Sequence, residues 1–223
     1  MLGLGLVEYK LIRSKRKTLS LQIDKDGALS VRAPMHLSVK KIESFICEKQ
    51  LWIETKQTQI RATKPDKINY QAGEYFLFLG CLYPLKLDNT EVPVRLNNKK
   101  FYLSTIYDAA AAFHWFYKKE FIKIALPRLE YYSQKHNLIF NQVRFKAQKT
   151  RWGSCSSQNN INLNYLLMMA PMWVIDAVIA HELAHIAHKN HSKDFYQLLD
   201  SMISTRKQAD IWLQDNTQKL HNL

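Results

Sequence analysis

The sequence is short of cysteine, glycine and proline. Its three cysteines, Cys47, Cys81 and Cys155, stand singly, so they supply neither a disulfide framework nor a CxxC pair. Cysteine used this way fits a reducing, cytoplasmic setting. Six glycines and six prolines in 223 residues exclude collagen-like and low-complexity chains. Acidic residues are outnumbered: 19 Asp and Glu face 32 Lys and Arg, a formal net charge of +13. Such a surplus favours acidic partners, nucleic acid or a nucleotide among them, without choosing one. Long apolar runs are missing too. The most hydrophobic stretch, 163–180, is interrupted by Pro171 and Asp176, whereas a spanning helix needs roughly 20 apolar residues. It reads as a buried strand followed by a buried helix, and no membrane association is expected. The amino-terminal MLGLGLVEYK has no basic n-region and no small-residue cleavage site, so it does not read as a signal peptide.

What is present is a globular composition, 47% hydrophobic, enough for one large or two small domains. Period-two patterning marks strands at 6–12, 18–23 and 28–33, the last two joined by the Asp24–Gly27 turn. Ser38 reads as the N-cap of a single helix carrying Val39, Ile42, Ile46, Ile53 and Ile60. Strands return at 75–79, 82–87, 92–96 and 101–104. From Tyr107 the pattern turns helical, with Pro127 expected to kink or divide the segment. Val143–Ala147 and Ile161–Tyr165 read as strands, Pro171 as the start of a helix through His185, and Phe195–Met202 as another helix. The expected fold is α+β. A β-rich region over 1–105, a small antiparallel sheet with one packed helix, precedes a helix-rich domain over 106–223.

Four of the eight histidines crowd into His181-Glu182-Leu183-Ala184-His185-Ile186-Ala187-His188-Lys189-Asn190-His191, whose core HELAH is an HExxH motif. On a helix, residues four apart share a face, so His181 and His185 can present ring nitrogens to one cation. Zinc accepts such nitrogens at roughly 2.0–2.1 Å. Glu182 falls on the adjoining face, near enough to hydrogen-bond a water held by that cation without ligating it. The surrounding helix is apolar, where three ionisable side chains would be costly without a partner. A catalytic zinc usually takes three protein ligands, and His188 and His191 are the candidates for the third. His188 lies a turn further along an unbroken helix. His191 follows Asn190, which can take a left-handed conformation and end the helix, and the returning chain favours His191.

The pieces Arg151-Trp152-Gly153-Ser154-Cys155-Ser156, Ile161-Asn162-Leu163-Asn164, Pro171, Ile175-Asp176 and HELAHIAHKNHSKDF occur in the order found in the YgjP-like family of predicted metal-dependent hydrolases, which the chain resembles. That family is related to the SprT-like and WLM zinc proteases. Arg16-Lys17-Thr18, Val31-Arg32-Ala33-Pro34, Phe78-Leu79-Gly80 and Tyr83-Pro84-Leu85 extend the resemblance over nearly the whole chain. It implies a zincin-like metallopeptidase domain with one Zn2+ on His181, His185 and His191 and with Glu182 as general base. The spacing also occurs in metzincins, but His188 stands where they carry glycine.

Other residues have plainer readings. Cys155 reads as small buried packing, Trp152-Gly153 as a tight packing element, and Asp176 as a hydrogen-bond partner for Arg151 or a backbone amide. Arg151 and Tyr196 are candidates to stabilise an oxyanion. The function expected first is a cytoplasmic zinc metallopeptidase acting on a peptide or protein. A metal-dependent phosphohydrolase drawing an anionic nucleotide to the basic surface is a second reading. A nucleic-acid-associated protein-processing module is a third.

Overall fold

The computed structural model describes residues 8–24, 26–63 and 68–223. By packing, the chain separates into two compact units, Met1–Asp66 and Lys67–Leu223. The sequence boundary near residue 105 falls inside the second unit, because the strands before it pack on the helix after it.

In the first unit, β1 (Tyr9–Ser14), β2 (Ser20–Ile23) and β3 (Leu29–Pro34) form a sheet in the order β1-β3-β2. The expected strand start at Leu6 and Val7, and most of the amino-terminal segment weighed above, lie outside the described residues. So does Lys25. The rest of the turn is built by Asp24, whose Oδ1 accepts from the amides of Asp26 and Ala28, each at 2.9 Å. The sheet is mixed rather than antiparallel: β2 and β3 form a hairpin, but β1 lies along the far edge of β3 and runs parallel to it. Alternation along β3 buries Leu29, Val31 and Ala33, which pack with Ile42, Ile46 and Ile53. The expected single helix is two, α1 (Val39–Glu48), capped by Ser38, and α2 (Gln50–Thr63). They meet at Lys49, whose amide is shared between the carbonyls of Phe45 and Ile46.

The second unit begins with β4 (Tyr75–Phe78), β5 (Cys81–Asp88), β6 (Val94–Asn97) and β7 (Lys100–Ser104), ordered β4-β5-β7-β6. This sheet is mixed as well, with β5 parallel to β7. Next comes α3 (Ala109–Lys135), capped by Asp108 and continuous through Pro127, so the proline does not divide it. Its Phe113, Phe116 and Tyr117 pack with Phe101 of β7. The Tyr117 hydroxyl donates to the Leu77 carbonyl at 2.6 Å.

A third sheet has β10 (Ile161–Asn164) at its centre, parallel to β8 (Val143–Lys146) and antiparallel to β9 (Gly153–Cys155). A short 3-10 helix, Tyr165–Met169, leads into α4 (Met172–Ala187), followed by α5 (Lys193–Met202) and α6 (Arg206–Leu220). Pro171 takes the N-cap position of α4. Gly80, at φ +79, meets that helix start so closely that a Cβ there would lie 2.7 Å from Pro171 Cγ. From Val174 to Ala184 nearly every residue of α4 is buried. Its internal charge, Asp176, is paired with the Arg128 guanidinium from α3 through both carboxylate oxygens. Arg128 therefore fills the place the sequence reading gave to Arg151. Among the described residues no helix is long and apolar enough to cross a membrane.

Candidate metal centre

The HELAH segment occupies the last turns of α4. His181 and His185 share a face, with ring centroids 4.9 Å apart. The helix stops at Ala187 because His188 adopts an extended conformation, φ −129 and ψ 103. Asn190 is not among the residues with positive φ, so the turn is made at His188 and not by a left-handed asparagine. After it the chain doubles back, and Ser192 caps α5 by accepting from the Phe195 amide at 3.3 Å. His191 is thereby carried onto the other two rings, 5.1 Å from His181 and 4.8 Å from His185. One ligand atom from each of His181, His185 and His191 lies within 4.8 Å of the others. His188 is outside this group and contributes its carbonyl instead.

That carbonyl lies 3.0 Å from His185 Nδ1. A carbonyl only accepts, so Nδ1 carries the proton and Nε2 is left with its lone pair free. Nε2 of His191 and Nε2 of His181 approach to 3.2 Å. Phe195, fully buried, packs its ring against all three imidazoles. Burial, with the neighbouring His185, His191 and Arg206, pushes the His181 pKa down to about 4. Burial likewise lowers that of His185. At neutral pH His181 and His185 are neutral, the state a cation needs.

Glu182 is 5% exposed, and its Oε2 is buried with no hydrogen-bond partner among the described residues. Burial pushes its pKa up to about 8, against the opposing field of Arg151. Gly153 of β9 lies directly against it: a Cβ at 153 would sit 2.6 Å from Glu182 Cγ and 2.7 Å from Cδ. The strand cannot easily move off. Gly153 pairs with Leu163, and the Asn162 side chain donates to Ser154 Oγ at 3.1 Å. Asn164, fully buried, donates to the carbonyls of Gln148 (2.8 Å) and Arg151 (3.2 Å). The sequence pieces RWGSCS and INLN thus build the wall facing Glu182. Cys155 is half-buried with its thiol pKa raised by burial, in keeping with a packing role.

Tyr196 stacks at 6.1 Å from His191 and lies under the Arg206 guanidinium, 4.8 Å from its ring. Three contributors were not foreseen from sequence. Phe195 underlies the histidines. Lys189 ties the turn to the β9–β10 loop through the Ser156 carbonyl (3.1 Å) and Asn159 Oδ1 (2.6 Å). Helix α6 brings Arg206 to a cleft that also reaches His181 and Glu182. Phe195 was legible in the NHSKDF piece; α6, mostly polar, gave little periodicity to read.

An HExxH helix, a third histidine returned by the next turn and a buried carboxylate between them fit the class of metal-dependent hydrolases. Residues 17–216 match the family described as YgjP-like, metallopeptidase domain, and the chain belongs to that family. At family level it is a metal-dependent peptidase. Two solved structures are similar to part of it. The metallopeptidase zymogen abylysin of Pyrococcus abyssi is 18% identical, with a TM-score of 0.37 over 40% of this chain and 92% of its own. The zymogen jannalysin of Methanocaldococcus jannaschii is 23% identical, with a TM-score of 0.36 over 43% and 96%. A comparison with curated proteins gives no match.

Proposed function

We propose that the protein is a zinc peptidase in which His181, His185 and His191 hold one Zn2+ and Glu182 is the general base. The observation that carries this is the convergence of three imidazole nitrogens within 4.8 Å beside a buried, unpartnered carboxylate oxygen. The donor set suits zinc, which favours nitrogen ligands and takes three of them in catalytic sites. Two nitrogens on a tetrahedral zinc lie roughly 3.3–3.4 Å apart, and His181 and His191 already approach to 3.2 Å. When bound, zinc supplies a Lewis acid that polarises a carbonyl oxygen and lowers the pKa of a water to about 7.

The chain's own residues do the rest. The His188 carbonyl fixes the His185 tautomer so that Nε2 is the nitrogen that would take the ion. Phe195 closes the site from below and excludes water there. Glu182 moves the proton: burial makes its carboxylate basic, and Arg151 and a divalent charge both favour its ionised form. It takes a proton from the attacking water and returns it to the leaving amine. The substrate is a peptide or protein. Arg206, the guanidinium among the residues lining the cleft, is already held by Asp200, which disfavours a polyphosphate, the occupant a phosphohydrolase would need. Three free cysteines support a cytoplasmic location.

Metal content and turnover on an unstructured peptide mixture, measured on the same samples, test the assignment. Glu182→Gln should keep its metal and lose activity by ~10²–10⁴-fold, the usual contribution of a general base. His181→Ala and His191→Ala should lose metal and activity together, while His188→Ala keeps both. Near-wild-type turnover in metal-loaded Glu182→Gln, or full metal in His191→Ala, would refute it.

A further inference from the structure

The cleft beside the metal centre has two helical walls of defined character. On α6, Arg206, Ala209, Asp210 and Leu213 recur at i, i+3, i+4 and i+7, and all four line it. On α4, Ala177 and Val178 stand four and three residues before His181, so the face that carries His181 continues as the cleft floor. Trp152 also lines the cleft, its ring stacked on His221 at 4.6 Å and 12°. The aliphatic lining residues are otherwise packed away, each at most 9% exposed. Ala177 and Ala209 keep both walls low, which leaves about 230 Å³ between the helices.

An apolar cavity of about 150 Å³ in a protein interior accepts benzene, so this one accommodates a branched aliphatic or aromatic side chain. The charges at the rim exclude an anionic side chain. The Arg206 guanidinium is held by Asp200 at 2.8 Å and lies 3.7 Å from Asp210, so the one guanidinium of the rim already faces two carboxylates. An anionic side chain entering the cleft would lose its hydration and meet only a guanidinium that Asp200 already holds.

We propose that this cleft is the pocket that selects the substrate, taking a branched aliphatic or aromatic side chain adjoining the bond to be cut, with α6 as the specificity wall. The inference rests on the peptidase reading above for the bond, but the pocket can be tested without cleavage. N-acetyl-L-phenylalaninamide and N-acetylglycinamide are titrated into the zinc-loaded full chain and followed by NMR at the Trp152 indole. The same protein is incubated with a mixed peptide library, and cleavage sites are read by mass spectrometry.

The phenylalanine amide should bind at least tenfold more tightly than the glycine amide, since even one methylene in an apolar pocket discriminates by about 10–200-fold. Ala209→Leu, which fills the cleft, should remove that preference. Leu213→Ala, which only enlarges it, should shift cleavage toward larger aromatic residues and serves if Ala209→Leu does not fold. Equal binding of the two amides, or a cleavage profile without apolar preference that Leu213→Ala leaves unchanged, overturns the proposal. Selective amide binding with no cleavage of any peptide would leave the pocket standing and reject the peptidase reading.

Discussion

Replacing Gly153 with alanine adds one methyl group, and it lands on Glu182. The new Cβ would lie 2.6 Å from Glu182 Cγ and 2.7 Å from Cδ, where relaxed carbon contacts need about 3.5–4.0 Å. Roughly 1 Å of displacement must be found. Strand β9 resists giving it: three residue pairs hold it to β10, and the Asn164 amide donates to the Trp152 carbonyl at 2.8 Å. Helix α4, buried along most of its length, resists as well. The Glu182 side chain is the softest element, so it swings away. A misplacement of about 1 Å in a reacting group can cost ~10²-fold in rate, and overpacking costs about 1–3 kcal/mol of stability. The three atoms nearest the added methyl all belong to Glu182 and none to a histidine, so metal should be retained. Peptide turnover, metal stoichiometry and a thermal melt on Gly153→Ala separate these effects. A variant with wild-type kcat and full metal would show that Glu182 does not need this position.

Three further outcomes are expected. Lys189→Met releases the turn that carries His191 from Ser156 and Asn159, and should weaken zinc binding by roughly 10–100-fold in chelator competition, the range for groups that orient ligands from outside; unchanged affinity would mean the turn holds itself. Arg128→Met strips buried Asp176 of its partner and should cost about 1–3 kcal/mol in urea melts, less than a fully buried pair because part of Arg128 meets water, and Asp176→Asn in the same chain should restore part of it. Burial depresses the His114 pKa below its ordinary 6.5, so below that pH the unfolded chain takes the proton first and stability falls as pH drops; melts from pH 7.5 to 5.5 should show a shallower loss in His114→Gln than in the wild type.

The candidate metal-binding segment was legible because it is local. HELAH needs only helical periodicity to bring His181 and His185 together, and Ser192 and Phe195 mark the next helix start in the same stretch. Strands β4, β5 and β7 were also readable from alternation, as was the Ser38 cap. Partners across the fold were not. That Asp176 meets Arg128, 48 residues away, depends on how α3 packs on α4, and no spacing rule carries that distance. Parallel pairing of β1 with β3, and of β5 with β7, follows from strand order, which alternation does not encode. Helix α6 escaped notice because its inward stripe is built from Ala209 and Leu213 amid charged and amide side chains, a weak periodic pattern.

The three proposed ligands fall within eleven consecutive residues, while the wall facing Glu182 comes from β9, some thirty residues earlier. Closing so short a loop carries little entropic cost, so the metal can be captured by a segment that has formed only α4 and its returning turn. Positioning of Glu182, the proposed general base, waits for the third sheet to assemble. In refolding, zinc uptake should therefore run ahead of recovered activity. Between the two lies a species that holds the ion without its aligned base, so the chain passes through a stage that is loaded yet unable to cut its neighbours.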